Sequence, residues 1–125
     1  MISGSGVDLC EVSRIKDAIG RHGRRFVERI FTEREIAYSE SKANSFERFA
    51  ARFAAKEAGM KALGTGWRRG VTWKDFEVVN LPTGRPTLSL HGKAAEIAKE
   101  LGVNNIALSL THTKDQALAI VTFES

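Results

Sequence analysis

The sequence has one cysteine, Cys10, among its 125 residues. A single cysteine excludes an intrachain disulfide, and it excludes the zinc and redox sites that depend on a Cys-x-x-Cys pair. No run of about 18 or more apolar residues occurs, so the sequence predicts no membrane-spanning helix. The first eight residues, MISGSGVD, contain neither a basic leader nor an apolar signal core. From these absences we expect a soluble, unprocessed protein in the reducing cytoplasm.

The net charge is also small, with a formal value of +4 at pH 7. The positive residues are nevertheless clustered along the chain, at Arg21, Arg24, Arg25, Arg29 and Arg34, at Arg48 and Arg52, and at Arg68 and Arg69. Clusters of this kind favour an acidic partner or a phosphate-bearing ligand, and a solvated basic surface is the alternative. The hydrophobic content of 42% is sufficient for one core, so we expect residues 1–125 to form a single domain.

Helices are predicted mainly in the first half of the chain and strands mainly in the second. The expected helices cover residues 13–20 with Ser13 as the N-cap, 26–30, 32–41 with a Thr32–Glu35 capping box, 45–63 and 92–101. The expected strands cover residues 2–12, 73–80, 87–90, 106–111 and 117–123, the last two as a hairpin. This distribution predicts an α+β fold with helices packed on an antiparallel sheet.

Glu57 lies where the helix over 45–63 is expected to be apolar. At about 100° per residue it falls inside a stripe formed by Phe46, Phe49, Phe53 and Met60. A carboxylate in such a position must be neutralised, paired or bound to a metal, because an isolated buried charge is too costly. Lys61, one turn further on, could pair with it, so an ion pair and a metal ligand are both open interpretations.

Three short segments together resemble a known family. They are GVDL at 6–9 with Arg14 beyond it, RFAAKEA at 52–58, and SLTHTK at 109–114. In this order and spacing the chain is similar to the holo-acyl-carrier-protein synthases, the short bacterial type of the 4′-phosphopantetheinyl transferase superfamily. The similarity runs from Ile2 nearly to the C-terminus and includes Gly64-Thr65-Gly66.

The resemblance implies an enzyme that moves the phosphopantetheine arm of coenzyme A onto a serine of apo acyl carrier protein, for fatty acid biosynthesis. It implies magnesium dependence and a cytoplasmic homotrimer with active sites between subunits. The hairpin supports assembly independently, since it is apolar on both faces in places and a domain this small has few helices to cover both.

Asp8 and Glu57 correspond to the metal ligands of the family. Phosphoryl transfer needs a cation to neutralise the diphosphate, and Mg²⁺ prefers oxygen ligands such as carboxylates. The resemblance gives catalytic roles to Glu57, Lys61 and His112. Glu57 could accept the serine proton directly or through a water, and the sequence leaves both routes open.

Coenzyme A is expected to contact a larger set of residues: Arg52, Lys56, Lys61, Gly64, Thr65, Gly66, Ser109, Thr111, His112 and Thr113. Lys61 shares the face of Glu57 and is the better candidate for the diphosphate. Lys56 is one residue off that face, and a surface lysine with its stem along the protein is an equal alternative.

The acidic acyl carrier protein is expected to dock on the first helix and the residues after it, at Arg14, Arg21, Arg24, Arg25 and Phe26. Two alternatives remain. One is a basic nucleic-acid-binding module that uses Arg24, Arg25, Arg29 and the Trp67-Arg68-Arg69 cluster, although no nucleic-acid-binding motif is visible. The other is a non-catalytic carrier-binding protein. We expect neither a nucleic-acid nor a membrane partner.

Overall fold

A computed structural model describes residues 1–66 and 68–125, and Trp67 of the predicted basic cluster lies outside the described residues. The described part contains five helices and five strands. In chain order they are β1 (Ile2–Glu11), α1 (Val12–His22), α2 (Arg24–Ile30), α3 (Glu33–Glu40), α4 (Ser45–Leu63), β2 (Phe76–Asn80), β3 (Pro86–Leu90), α5 (Gly92–Glu100), β4 (Asn105–His112) and β5 (Gln116–Glu124). The predicted α+β fold is confirmed.

The strands form two antiparallel sheets. The larger has the order β1-β5-β4, and the smaller pairs β2 with β3. In the larger sheet Asp8 lies opposite Ala119, which lies opposite Leu110. One face of this sheet packs against α4. The other face carries the exposed side chains of Val7 and Ile120, which are direct cross-strand neighbours.

The contact between β1 and α4 depends on two glycines. A Cβ atom on Gly6 would lie 2.1 Å from the carbonyl oxygen of Ala58, and one on Gly4 would lie 2.1 Å from that of Ala62. The strand backbone therefore rests directly on the helix backbone, and any side chain at these positions would push them apart. This close approach places Asp8, two residues after Gly6, beside α4.

Helix α4 is buried on most of its circumference, because β1, β5, α3 and β2 all pack against it. Small residues make this possible, since Ala54, Ala55 and Ala58 are fully buried. A helix surrounded in this way forms the centre of the core and fixes the side chains that leave it. Among the described residues no helix is both long and apolar enough to cross a membrane.

The predicted bounds of the first helix are wrong at both ends. Helix α1 begins at Val12 instead of after a Ser13 cap, because the Val12 amide donates to the Asp115 carbonyl of the β4–β5 turn at 2.9 Å. The helix also continues through Gly20 to His22 and ends at Gly23, whose φ of 61° suits glycine.

The predicted strand over 73–80 begins only at Phe76. The three residues before it form a 3-10 turn, Trp73–Asp75. This turn has its own capping box, in which the Thr72 hydroxyl donates to Asp75 Oδ1 at 3.1 Å and the Thr72 amide donates to Asp75 Oδ2 at 3.3 Å. Local capping therefore competes successfully with strand pairing over these residues.

Candidate functional site

Asp8, Glu57 and Lys61 meet where β1 crosses the C-terminal half of α4. Lys61 Nζ donates to Asp8 Oδ1 at 3.2 Å and to the Val7 carbonyl at 2.9 Å. The Asp8 side chain is 18% exposed, so it is accessible to a small ligand. Glu57 is half-buried on the same side of the helix. Two carboxylates and one ammonium thus share one accessible corner of the molecule.

The Glu57 carboxyl is in an unfavourable electrostatic environment. Burial raises the pKa of Glu57 above its ordinary value of 4.5, and the charge of Asp8 raises it further, while the charges of Lys61 and Arg14 lower it. The interpretation that Lys61 pairs with Glu57 is wrong in detail, because its hydrogen bonds go to Asp8 and to the Val7 carbonyl. Burial and Asp8 thus disfavour the charged form of Glu57, and a cation bound beside the two carboxylates would offset that cost.

The donor set fits magnesium bound together with a phosphorylated substrate. Among the described residues no group of three or more His, Cys, Asp and Glu side chains is suitable for a metal. Two carboxylates are nevertheless what Mg²⁺ commonly takes from a protein when phosphate oxygens and waters complete its shell. Asp8 and Glu57 are therefore suitable ligands for an ion that arrives with a diphosphate.

Gly64, Thr65 and Gly66 end α4 three to five residues after Lys61. Gly64 has a left-handed φ of 82° and donates its amide to the Met60 carbonyl at 3.0 Å. The Thr65 hydroxyl donates to the Gly66 carbonyl at 3.2 Å. The segment is thus a helix C-cap close to the carboxylate corner. Its contact with phosphate stays a prediction.

A cavity lined by two arginines and a histidine lies nearer the N-terminal end of α4. Arg48, Arg52 and His112 line a cavity of about 200 Å³ together with Tyr38, Ala51, Asn80, Gly84, Pro86 and Leu110. Arg52 is 4% exposed, and its Nε–H has no hydrogen-bond partner within residues 1–66 and 68–125. A buried guanidinium with an unused donor at a cavity is a suitable site for an anion.

His112 is oriented by Glu47 at the first turn of α4. Its Nδ1 lies 3.0 Å from Glu47 Oε1. A carboxylate on one ring nitrogen fixes the plane of the imidazole and presents the other nitrogen to a ligand. The structure therefore brings two predicted residues, Arg52 and His112, together at one cavity, and it adds Arg48, which was not among the predicted site residues.

The remaining predicted residues of the hairpin point elsewhere. Ser109 and Thr111 are exposed on the sheet face opposite α4, beside Ile120 and Leu118. The Thr113 hydroxyl accepts hydrogen bonds from the Asp115 and Gln116 amides of the turn, at 3.2 and 3.1 Å. Thr113 also lines a cleft of about 810 Å³ between this turn and the start of α4.

The two charged groups are far apart within one chain. Arg48 and Arg52 lie nine and five positions before Glu57 on α4, about 14 and 8 Å along the axis at 1.5 Å per residue. At about 100° per residue they also leave the helix about 180° and 140° away from Glu57. One chain therefore presents two half-sites, a carboxylate corner at Asp8 and an arginine cavity at Arg52.

The prediction that Lys56 contacts coenzyme A or lies at the surface is wrong. Its ammonium is fully buried and forms an ion pair with Glu35 at 2.7 Å. It also donates to the carbonyls of Phe76 at 2.6 Å and Trp73 at 3.2 Å. All three ammonium protons are thus used inside the core. Burial lowers the pKa of Lys56, and the charge of Glu35 opposes that shift.

Glu35 was recognised in the sequence only as part of a capping box. It does cap α3, because Oε1 accepts the Thr32 amide at 2.9 Å, but Oε2 also accepts the Val78 amide at 2.9 Å. The alanines around Lys56 were a usable signal, since a charged residue on a helix buried all round must find an internal partner.

The predicted carrier-docking residues differ in availability. Arg14, Arg21 and Arg25 are exposed. Arg24 is engaged in ion pairs with Glu40 and Glu28, the latter at 3.5 Å. Phe26 is half-buried against the core, so only part of its ring can serve as an anchor. Arg14 alone of these lies close enough for its charge to act on Glu57.

Comparison with known proteins gives a consistent result. Residues 4–121 match a family model described as the 4′-phosphopantetheinyl transferase superfamily. A holo-[acyl-carrier-protein] synthase of Solibacter usitatus is 65% identical over all of both chains, and one of Koribacter versatilis is 58% identical over 99% of both. The crystal structure of the Neisseria meningitidis synthase superposes with a TM-score of 0.91 at 31% identity, covering all of both chains. That of the Bacillus anthracis synthase, solved in complex with coenzyme A (3′,5′-ADP), gives 0.81 at 36% identity, covering 100% of this chain and 98% of that one.

Proposed function

From the premise that this chain belongs to the 4′-phosphopantetheinyl transferase superfamily, we propose that it works as a magnesium-dependent homotrimer in which two half-sites on different subunits form each active site. The enzyme transfers the 4′-phosphopantetheine arm of coenzyme A to a serine of apo acyl carrier protein. The alternative of a non-catalytic nucleic-acid- or carrier-binding module is not favoured by its relatives. The observation that carries the proposal is the corner where Asp8, Glu57 and Lys61 meet.

The carboxylate corner is proposed to perform the chemistry. The carrier serine oxygen forms a bond to the phosphorus that bears pantetheine, and the bond from that phosphorus to the bridging oxygen breaks, which releases adenosine 3′,5′-bisphosphate. Asp8 and Glu57 are the residues that would bind magnesium, which neutralises the diphosphate charge. Lys61 orients the diphosphate as a point charge. Glu57 accepts the serine proton directly or through a water.

The arginine cavity is proposed to bind the other phosphate of coenzyme A. Coenzyme A carries a diphosphate and a separate 3′-phosphate. With the diphosphate at the carboxylate corner, the 3′-phosphate is the group that matches the cavity of Arg48, Arg52 and His112, where two guanidinium groups supply positive charge. The unused Nε–H of Arg52 supplies a donor for it.

The open sheet face supports assembly. Val7, Leu9 and Ile120 are 52%, 54% and 45% exposed there, on neighbouring strands of one face. Such an apolar face favours burial against another subunit. A second copy on this face would cover Ser109 and Thr111, and we propose that it also brings its own arginine cavity towards the first copy's carboxylate corner.

The exposed arginines at Arg14, Arg21 and Arg25 are proposed to receive the acidic carrier protein, with Arg14 nearest to the reacting groups. We place the reaction in fatty acid biosynthesis in the cytoplasm, where a free thiol such as Cys10 stays reduced.

Mixing two inactive variants tests the composite site. Glu57→Gln disables the carboxylate corner, and Arg52→Met disables the arginine cavity. Each variant alone should transfer phosphopantetheine at least a hundredfold more slowly than wild type at moderate coenzyme A concentration. After the two are unfolded and refolded together, some active sites should combine an intact half from each, so activity should return. A mixture as inactive as its components would place both halves in one chain. Circular dichroism of each variant confirms that it is folded.

A further inference from the structure

Tyr38 lies on α3, and its ring packs against Arg52 of α4. Helices α3 and α4 run antiparallel, so Glu35 on α3 meets Lys56 on α4, and one turn away Tyr38 meets Arg52. The ring lines the 200 Å³ cavity of Arg48 and His112, and it also lines a neighbouring cavity of about 220 Å³. Tyr38 and Arg52 thus form a shared wall between the two cavities.

The contact between them is close. The guanidinium carbon of Arg52 lies 4.2 Å from the centre of the Tyr38 ring. Two further cations lie above the same ring, with Lys42 Nζ at 5.3 Å and Arg48 Cζ at 5.9 Å. Burial lowers the pKa of Arg52, and Tyr38 is foremost among the groups that oppose the shift. Arg52 is the closest of these three cations to the ring, so the cation–π contact of Tyr38 is strongest with the buried guanidinium.

We propose that Tyr38 is a positioning residue for phosphate recognition: its ring holds the Arg52 guanidinium in the plane that directs the unpaired Nε–H towards a phosphate in the cavity. This inference rests on the proposed function, since it assigns that phosphate to the 3′-group of coenzyme A.

The physical reason is that an arginine side chain is long and flexible. A ring against its flat face restricts its rotations and leaves the Nε–H available to the ligand. A carboxylate in place of the ring would instead occupy the N–H donors. The fully buried Glu35–Lys56 ion pair, one turn away, fixes α3 on α4 and so fixes the ring.

The experiment compares Tyr38→Leu and Tyr38→Phe with a matched control, Lys42→Met, which removes a cation from the same ring but does not line either cavity. Each is assayed with coenzyme A and with dephospho-coenzyme A, which lacks the 3′-phosphate. For Tyr38→Leu we expect the KM for coenzyme A to rise roughly 3- to 30-fold while the KM for dephospho-coenzyme A and kcat change little. Tyr38→Phe and Lys42→Met should keep the wild-type preference.

A double-mutant cycle separates positioning from general packing. In the Arg52→Met background, Tyr38→Leu should have no further effect on the KM for coenzyme A, because the ring acts through the guanidinium. Direct titration with adenosine 3′,5′-bisphosphate and with adenosine 5′-monophosphate should give the same pattern in binding. Equal losses with both substrates, or additive effects of the two substitutions, overturn the role of Tyr38. If the wild-type protein transfers phosphopantetheine but does not distinguish the two substrates, the assignment of the 3′-phosphate to the cavity is wrong and the role of Tyr38 is wrong with it. If the wild-type protein transfers no phosphopantetheine at all, the proposed function itself is wrong.

Discussion

Removing the Lys56 ammonium while keeping its stem should strongly destabilise the fold around α4. Lys56→Met deletes one ion pair at 2.7 Å and two hydrogen bonds to main-chain carbonyls, all inside the core. It also leaves the Glu35 carboxylate, which is 1% exposed, without its cation. Breaking a buried pair from one side costs about 3–5 kcal/mol. That is a large part of the 5–15 kcal/mol that stabilises an ordinary domain.

For a chain of 125 residues this loss corresponds to a fall in Tm of about 10–20 °C. The free energy of unfolding is measured by urea denaturation, followed by circular dichroism. All variants are compared at one protein concentration, since assembly would otherwise shift the result. Glu35→Gln combined with Lys56→Met should recover about 1 kcal/mol or more of the loss, because no unpaired charge remains in the core.

Two results would refute this reasoning. A loss below about 1 kcal/mol for Lys56→Met would mean that the pair is not buried in solution. A double variant that is less stable than Lys56→Met would mean that Glu35 stabilises the fold without its lysine. A matched surface substitution, Lys99→Met on α5, should change stability by no more than about 0.5 kcal/mol.

Three further predictions concern the proposed site. The pKa of Glu57 is raised in the folded state, so its ionisation weakens the metal-free fold as pH rises from about 4.5 through that raised pKa. Glu57→Gln should therefore be more stable than wild type at pH 7 but not at pH 4. Equal Tm differences at both pH values would contradict this. Arg14→Glu should raise the KM for carrier protein about tenfold and remove the salt dependence of that KM. Arg24→Glu should have a smaller effect, because Arg24 is already paired with Glu40. An equal rise in the KM for coenzyme A would exclude docking of the carrier at these arginines. Ile120→Glu on the open sheet face should give monomers by light scattering and abolish transfer, and an active monomer would show that no second subunit is needed.

The sequence predicted best those elements whose signals are local. The bounds of α4 match the prediction because its apolar period and the glycine after Leu63 act within the helix itself. The Thr32–Glu35 capping box is present for the same reason. The start of α1 was missed because a bond from Val12 to the distant hairpin turn decides it. The 3-10 turn before β2 was missed although its capping box is local, because the alternation over 73–80 favoured a strand.

The candidate site was predictable by residue type but not by arrangement. Asp8 and Glu57 belong to recognisable segments, yet their meeting depends on Gly4 and Gly6, which carry no chemical signal of their own. The alanines around Lys56 indicate a buried position, but its partner Glu35 lies on another helix, and no local pattern identifies a partner that far away in the chain. Periodicity places a side chain on a face, but it does not say what covers that face.

The central claim is tested most directly by the mass of apo acyl carrier protein after incubation with this protein, coenzyme A and Mg²⁺. The carrier should gain the mass of one phosphopantetheine group. The gain should be absent when the acceptor serine is alanine, when the metal is chelated, and when the Glu57→Gln variant replaces wild type. A carrier of unchanged mass with the wild-type protein, or an equal gain with Glu57→Gln in the presence of chelator, would contradict it.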